Sequence, residues 1–345
     1  MSRSSFIARA RGAGFVLALS WFALGLAACR ASGPERSEFT RIAMGVRTTI
    51  AIYAPNEEAA SAAANLAFLR IAELDQALSD WLVDSETNRL CELAGLGAVP
   101  IGRDLAFALE TSLGVAAASE GLFDPTIGPL VRQWRAMRAN GRLASVEELA
   151  SARALVGWRL VELDAQNQRA ALPLRGMRLD FGGIGKGLAA QAALDRIREL
   201  GFESALVALA GDVAAGAPPP GARGWTVSVP RVVDARGTPT VLLLAHAAIS
   251  TSGDAEQFVE LGGKRYAHIV DPRTGLGALA PRTATVVAPR GELADALATA
   301  LALADDATAR RLVEQFPATA AVLVDREGAR TTIDPASTLR WRDER

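Results

Sequence analysis

Net charge, lysine, histidine and cysteine are all scarce in this sequence of 345 residues. Its 37 Lys and Arg against 38 Asp and Glu leave a formal charge of −1, and totals without a basic excess argue against a nucleic-acid partner. Two cysteines are too few to staple a disulfide miniprotein. With 22% charged residues against 50% hydrophobic ones, a disordered chain is excluded as well. All but two of the 37 basic residues are Arg; the exceptions are Lys186 and Lys264, so a place where the chain keeps a compact ammonium stands out. What remains is a globular chain, long enough for one large domain or two modest ones whose core needs neither metal nor disulfide.

Arg3, Arg9 and Arg11 precede an uncharged stretch, 12–28, that contains the apolar runs 15–19 and 21–24. The stretch is short for a membrane-spanning helix, which needs ~20 apolar residues, and it has the form of a signal peptide. Its end, Leu26-Ala27-Ala28-Cys29, is similar to a bacterial lipobox. Cleavage there removes 1–28 and leaves Cys29 as a lipidated N-terminus, followed by a tether over 29–37 and a main domain over 38–340. The expected location is the bacterial cell envelope, lipid-anchored and facing the periplasm. An ordinary secretory signal that happens to contain a cysteine is the other reading. With Cys29 acylated, Cys91 has no partner for an intrachain disulfide.

Apolar residues at Ile42, Met44, Val46, Ile50 and Ile52 predict a hairpin or long strand over 39–54. Asn56 is placed to cap a long helix carrying Ala59, Ala63, Leu66, Leu69 and Leu74. A second helix is expected from about 105 to 119, stopped by Gly121 and Pro125, and Ser145-Val146-Glu147-Glu148 reads as a capping box opening a third. Short strands are expected at 158–163, 168–173 and 177–181, a helix over 185–200 closed by Gly201, and a buried strand at 205–209. The Pro- and Gly-rich stretch 214–224 reads as a loop. Strands follow at 225–229, 239–251, 256–260, 265–270 and 282–288, then a helix over 292–304 and a terminal helix, strand and hairpin. Helices mixed with mostly hairpin-linked strands, without regular alternation, give an α+β class with mixed, mostly antiparallel sheets packed with helices.

Four clusters have residue types suited to chemistry. In Leu179-Asp180-Phe181-Gly182-Gly183-Ile184-Gly185-Lys186-Gly187 a strand runs into a glycine turn that opens a helix. Glycines let backbone N–H groups and a helix N-terminus approach an anion, and Lys186 adds charge, so the turn suits phosphate. It fits neither a Walker loop nor G-x-G-x-x-G, and glycine turns before helices also serve as plain connections. In the segment from Tyr266 to Gly275, His268 lies at a strand end beside Asp271-Pro272, where it suits a general base for a hydroxyl nucleophile or a structural role. Asp295 and Thr299, four residues apart, put their oxygens on one helix face within reach of a hard cation such as Mg²⁺; the alternative has Asp295 complementing the helix dipole and Thr299 packing inward. The fourth cluster, Gly121 to Leu130, contains Leu122, Phe123 and Asp124 in a rigid turn that is mainly conformational.

The conjunction and order of these motifs, together with Thr251-Ser252-Gly253-Asp254 and the acid before the glycine-lysine turn, resembles the FAD:protein FMN transferase family, called ApbE. The likeness runs from Met44-Gly45 to Thr299, and a lipoprotein signal is frequent in that family. It implies an ApbE-like fold with a T-fold-like core, and an enzyme that cleaves the pyrophosphate of FAD and transfers FMN to a Thr or Ser hydroxyl of an exported flavoprotein, releasing AMP. The target carries a Ser/Thr-Gly-Ala-Ser/Thr type motif. The resemblance further implies that Gly183, through its carbonyl, Asp295 and Thr299 hold Mg²⁺, with Mn²⁺ as a substitute. Met44, Trp81, Leu122, Phe123, Asp124, Asp180, Lys186 and Ile269 match FAD contacts, and His268 and Asp180 are the implied catalytic pair. Trp81 stands where a flavin-facing Tyr is usual. Departures from the family pattern are Cys91 for an Asn linked to the choice between hydrolysis and transfer, Val46 for Thr, Gln191 for Asp, and Ala208 and Ala210 for Asn and Gly. FAD pyrophosphatase activity and a non-catalytic flavin-binding lipoprotein are the competing functions.

Overall fold

In the computed structural model, which describes residues 33–233, 239–253, 258–279 and 281–342, the strands of the main sheet lie side by side in chain order. They are β1 (Glu35–Ala43), β2 (Val46–Ala54), β3 (Ala205–Leu209), β4 (Asp212–Ala215), β5 (Ala247–Ser252), β6 (Thr283–Ala288), β7 (Ala320–Val324) and β8 (Arg330–Ile333), each antiparallel to its neighbours. Met44 and Gly45 join β1 to β2 with φ of 48° and 72°, the left-handed pair that a two-residue hairpin turn requires. Pro34 onward forms one compact unit.

Both faces of the sheet are covered, and the period of two in each strand sorts side chains between two cores. Ile50, Ile52, Val207, Leu209, Ala321 and Leu323 face a helical layer; Ala51, Leu206, Val322 and Val324 face the opposite side. There the ribbon of Trp225–Val233 and Pro239–Leu244 lays Trp225, Val229, Leu242 and Leu244 over the strands. Double coverage explains why every residue of β6 and β7 is buried.

The described helices are α1 (Glu57–Leu78), α2 (Glu86–Glu92), α3 (Arg103–Ala118), α4 (Gly128–Asn140), α5 (Val146–Arg153), α6 (Gly185–Glu199), α7 (Gly291–Leu303) and α8 (Asp306–Gln315). None is long and apolar enough to cross a membrane. Asn56 caps α1 by accepting the Ala59 amide at 2.9 Å, and Ser145 and Glu148 form the expected capping box on α5. Helices α1, α6 and α7 pack together against the sheet, and α7 is buried along nearly its whole circumference, leaving only Leu293 and Thr299 partly open. A third cluster joins Leu130, Trp134 and Met137 of α4 to Leu261, Tyr266 and Val270, with the Trp134 and Tyr266 rings 5.4 Å apart.

Several expectations need correction. The tether over 29–37 is cut short, because β1 already begins at Glu35; Cys29 and the signal segment lie outside the described residues. No strand forms at 177–181: the Leu179 amide goes to Cys91 Sγ (3.2 Å) and the Asp180 amide to the Pro125 carbonyl (2.8 Å). The segment 158–163 opens with a 3₁₀ turn, Trp158–Leu160, before a short strand at Glu162–Asp164. The loop expected at 214–224 starts later, since β4 runs through Ala215. The strand expected over 239–251 breaks at His246, whose φ is 50°, and the one expected over 265–270 ends at Ala267 with a bend at His268. The turn-rich segment read over 121–130 holds through 127, and α4 begins within its end, at Gly128, because Pro129 lies in the first turn, where no N–H is needed.

Candidate active site

One end of the sheet collects the β1–β2 turn, the β3–β4 turn and the end of β5, and the first turns of α6 and α7 cross above it. Glycine makes that crossing possible. A Cβ on Gly187 would stand 2.2 Å from the Gly291 carbonyl oxygen and 2.6 Å from Asp295 Cβ, and one on Gly291 would stand 2.2 Å from the Gly187 carbonyl oxygen. At this contact the Gly187 amide donates to Asp295 Oδ2 at 2.9 Å, so a buried carboxylate of α7 meets the N-terminus of α6. Gln191, where the family pattern has Asp, accepts the Gly291 amide at 3.1 Å and so serves the first turn of α7.

Lys186 Nζ lies 2.9 Å from Asp212 Oδ2 and 3.6 Å from Asp295 Oδ2. Asp212 in turn accepts the Ser250 hydroxyl at 2.5 Å. Burial works against the Lys186 charge, but Asp295 and Asp212 outweigh it and hold the ammonium above its ordinary pKa. Burial first, and Asp212 second, push the Asp295 carboxyl up to about 6. The Gly183 carbonyl precedes the helix, takes no part in its ladder and accepts Thr299 Oγ1 at a long 3.4 Å; Ser252 Oγ stands 3.5 Å from that hydroxyl. A Cβ on Gly183 would come within 2.9 Å of Thr299 Oγ1 and 3.2 Å of Phe123 Cε2, so only glycine lets the turn sit this close.

These donors suit a hard cation that keeps other ligands. No group of three His, Cys, Asp or Glu side chains that could hold a metal gathers among the described residues, whereas one carboxylate with a hydroxyl and a carbonyl matches the sparse protein ligation of Mg²⁺, which takes the rest of its shell from phosphate and water. The expected trio Gly183, Asp295 and Thr299 is thus brought together with Lys186. Met44 joins them: its Cε is 3.8 Å from the position of a Cβ on Gly185.

A second group lies around Asp180. Its Oδ1 accepts the Gly182 amide at 2.8 Å and its Oδ2 lies 3.6 Å from Arg135 Nη2. Arg135 also pairs with Asp80 and stacks its Cζ 4.1 Å over the Trp81 ring. Burial, with Asp80 close by, raises the Asp180 pKa against the opposing Gly182 amide and Arg135. Leu122 and Phe123 pack against the main core, Phe123 at Gly183. Asp124 spends both carboxylate oxygens inside the protein: Oδ1 takes the amide and hydroxyl of Thr126 at 2.8 and 2.6 Å, and Oδ2 takes the Trp158 amide at 3.1 Å. Asp124→Ala is therefore expected to cost about 2–3 kcal/mol of stability, read as a lower urea midpoint at unchanged slope.

His268 is exposed, while its neighbours Ala267 and Ile269 are buried and both bonded to Ala278, at 2.9 and 2.8 Å. These bonds fix the bend on which His268 stands. Ser250, Asp80 and Arg135 escape sequence reasoning; Ser252 enters it only within the Thr251-Ser252-Gly253-Asp254 motif, and Asp212 only as the residue after Ala210 and Gly211. Cys91 is buried, and its thiol, raised by burial, holds the Leu179 amide one residue ahead of Asp180.

Comparison with known proteins shows the family and the fold. Residues 44–324 match the model of the ApbE family. The chain is 30% identical over 308 residues to the FAD:protein FMN transferase of Treponema pallidum, covering 83% of this chain and 84% of that one. It is 26% identical over 253 residues to the protein of that name from Haemophilus influenzae, covering 71% and 73%. Among solved structures, the apo flavinyl transferase ApbE of Pseudomonas stutzeri is similar with a TM-score of 0.76 at 27% identity, over 87% of this chain and 95% of that one. The ApbE protein of Thermotoga maritima is similar with a TM-score of 0.76 at 27% identity, over 86% and 97%.

Proposed function

The chain belongs to the ApbE family, and from that premise we propose that it is a Mg²⁺-dependent FAD:protein FMN transferase acting on a Thr or Ser hydroxyl of an exported protein. The observation that carries this reading is the oxygen set of Gly183, Asp295 and Thr299 gathered beside Lys186 at the glycine crossing. The names of the relatives supply FAD as donor and FMN as the group moved.

Gly183, Asp295 and Thr299 would hold Mg²⁺, which when bound would supply Lewis-acid polarisation and charge neutralisation at the pyrophosphate. Lys186, kept charged between Asp212 and Asp295, faces the same anion, and α6, which begins at Gly185, points the positive end of its dipole the same way. The acceptor oxygen attacks the phosphorus of the FMN half as the bond to the AMP oxygen breaks, and the hydroxyl proton passes to His268. Exposure of His268 suits a base that must meet a macromolecular acceptor. Asp180 orients the dinucleotide from the second group. In this reading the acceptor carries a Ser/Thr-Gly-Ala-Ser/Thr type motif, and lipidation at Cys29 holds the enzyme on the outer side of a bacterial membrane beside exported targets.

Cys91 favours one second reading, in which water replaces the acceptor and the products are FMN and AMP. AMP release separates the two. A transferase releases AMP from FAD in Mg²⁺ only when the target is supplied, and His268→Ala slows that release by about 10²–10⁴-fold. Equal release with and without target establishes the pyrophosphatase instead.

A further inference from the structure

The chemistry above makes no use of Arg135. This side chain projects from α4 next to Trp134, whose buried indole fastens the helix to Tyr266. Its guanidinium covers one face of the Trp81 ring at 4.1 Å, pairs with Asp80 and reaches Asp180 Oδ2 at 3.6 Å. Trp81 is nevertheless 72% exposed, so most of the indole remains open. The loop beneath it is pinned: Ser79 Oγ accepts the amides of Trp81 and Leu82 at 3.2 and 3.1 Å, and Asn88 Nδ2 donates to the carbonyls of Asp80 and Leu82 at 3.2 and 2.8 Å. A large aromatic ring held out on a fixed loop, backed by a cation and joined through that cation to a half-satisfied acid, is built to receive something flat.

We propose that Arg135 is a positioning residue for the dinucleotide, holding the Trp81 indole and the Asp180 carboxylate in one arrangement so that a planar ring with N–H groups on its edge stacks on the first while donating toward the second. The inference rests on the site being an FAD site and adds a residue to it. Cation–π attraction fixes the tilt of the indole, and the two carboxylates sharing one guanidinium fix where the acid points. Lysine cannot replace it, because an ammonium neither lies flat on an indole nor bridges two carboxylates with a planar fork. Both ring systems of FAD, the isoalloxazine and the adenine, have the required edge, and FMN and AMP used as separate ligands tell them apart.

Arg135→Ala is expected to raise the KM for FAD about tenfold while kcat stays within about twofold, because Lys186, Asp295 and Thr299 are untouched; Arg135→Lys recovers less than half of that loss. Binding measured with FMN and with AMP should weaken for only one of the two, which identifies the stacked ring. An unchanged KM, or a loss confined to kcat, overturns the proposal. The ligand-free protein gives an independent readout: acrylamide quenching of the Trp81 emission, taken in each background as the difference made by Trp81→Phe, rises in Arg135→Ala by up to about 1.4-fold as the covered face opens from 72% exposure. Unchanged quenching overturns the proposal as well. If the wild type binds no FAD while Arg135→Ala still shows the rise, the FAD reading is refuted and the hold of Arg135 on Trp81 is supported.

Discussion

Asp295→Asn abolishes Mg²⁺-dependent release of AMP from FAD, by at least about 10³-fold, and raises the melting temperature of the metal-free protein. Asparagine retains an acceptor for the Gly187 amide, which Asp295 engages at 2.9 Å, so the helix crossing survives the change. What disappears is the charge. Burial and the nearby Asp212 push the Asp295 carboxyl from 3.8 up to about 6. A carboxyl with its folded pKa above the unfolded one contributes stability below about pH 4, and that contribution is lost as the pH rises through about 6. At pH 7 the metal-free wild type thus carries a negative charge that its fold disfavours. Removing it leaves Lys186 paired with Asp212 at 2.9 Å, a neutral couple. Mg²⁺ should stabilise the wild type and not the variant, and wild-type affinity for Mg²⁺ should fall about tenfold per pH unit below pH 6, where the proton competes for the carboxylate. Isothermal titration across pH 5 to 8, together with thermal melts with and without Mg²⁺, checks each part.

Gly187→Ala unfolds the active end of the molecule or drives α6 and α7 apart. The added methyl would face the Gly291 carbonyl oxygen at 2.2 Å and carbon at 2.7 Å, with Asp295 Cβ at 2.6 Å. Two of these atoms are backbone, so no rotamer change relieves the overlap, and a cost of at least about 3 kcal/mol is expected, a large share of an ordinary domain's stability. Activity should fall further than stability does, since the same shift carries Asp295 away from Gly183. Gly114→Ala is the matched control. It lies inside α3 with nothing within 4 Å of its added methyl, and it is expected to stabilise by about 0.5–1 kcal/mol through helix propensity and lost chain entropy. Urea unfolding of both variants separates a clash from a general intolerance of alanine.

Much of this site is legible in the sequence because its parts are local. Asp295 and Thr299 share a helix face by spacing alone, and the glycines before Lys186 announce a turn into a helix. The lysine that stands out in a chain built on arginine is the one held between two buried acids. Partners distant in the chain are another matter. Lys186 meets Asp212 only because β4 begins at the end of the sheet where α6 starts, and no periodicity encodes that. Arg135 is hidden in a helix whose opening Gly128-Pro129 reads as a turn. The alternation of Met177, Leu179 and Phe181 correctly signals burial, yet it does not make a strand, because the amides there are engaged by Cys91 and Pro125. Inward-facing side chains can follow a period of two without a ladder when neighbouring loops satisfy the backbone.

In the proposed function, the oxygen set on α7 and the glycine turn serves transfer of FMN to a protein hydroxyl. The most direct measurement of that transfer incubates the purified protein with FAD, Mg²⁺ and a target carrying the Ser/Thr-Gly-Ala-Ser/Thr type motif, and then looks for flavin fluorescence on a denaturing gel. The account predicts fluorescence at the mass of the target with the wild type, and none when Mg²⁺ is chelated or when Asp295→Asn replaces it. Fluorescence that persists in Asp295→Asn, or a target left dark while FAD is cleaved at the same rate without it, would contradict the account.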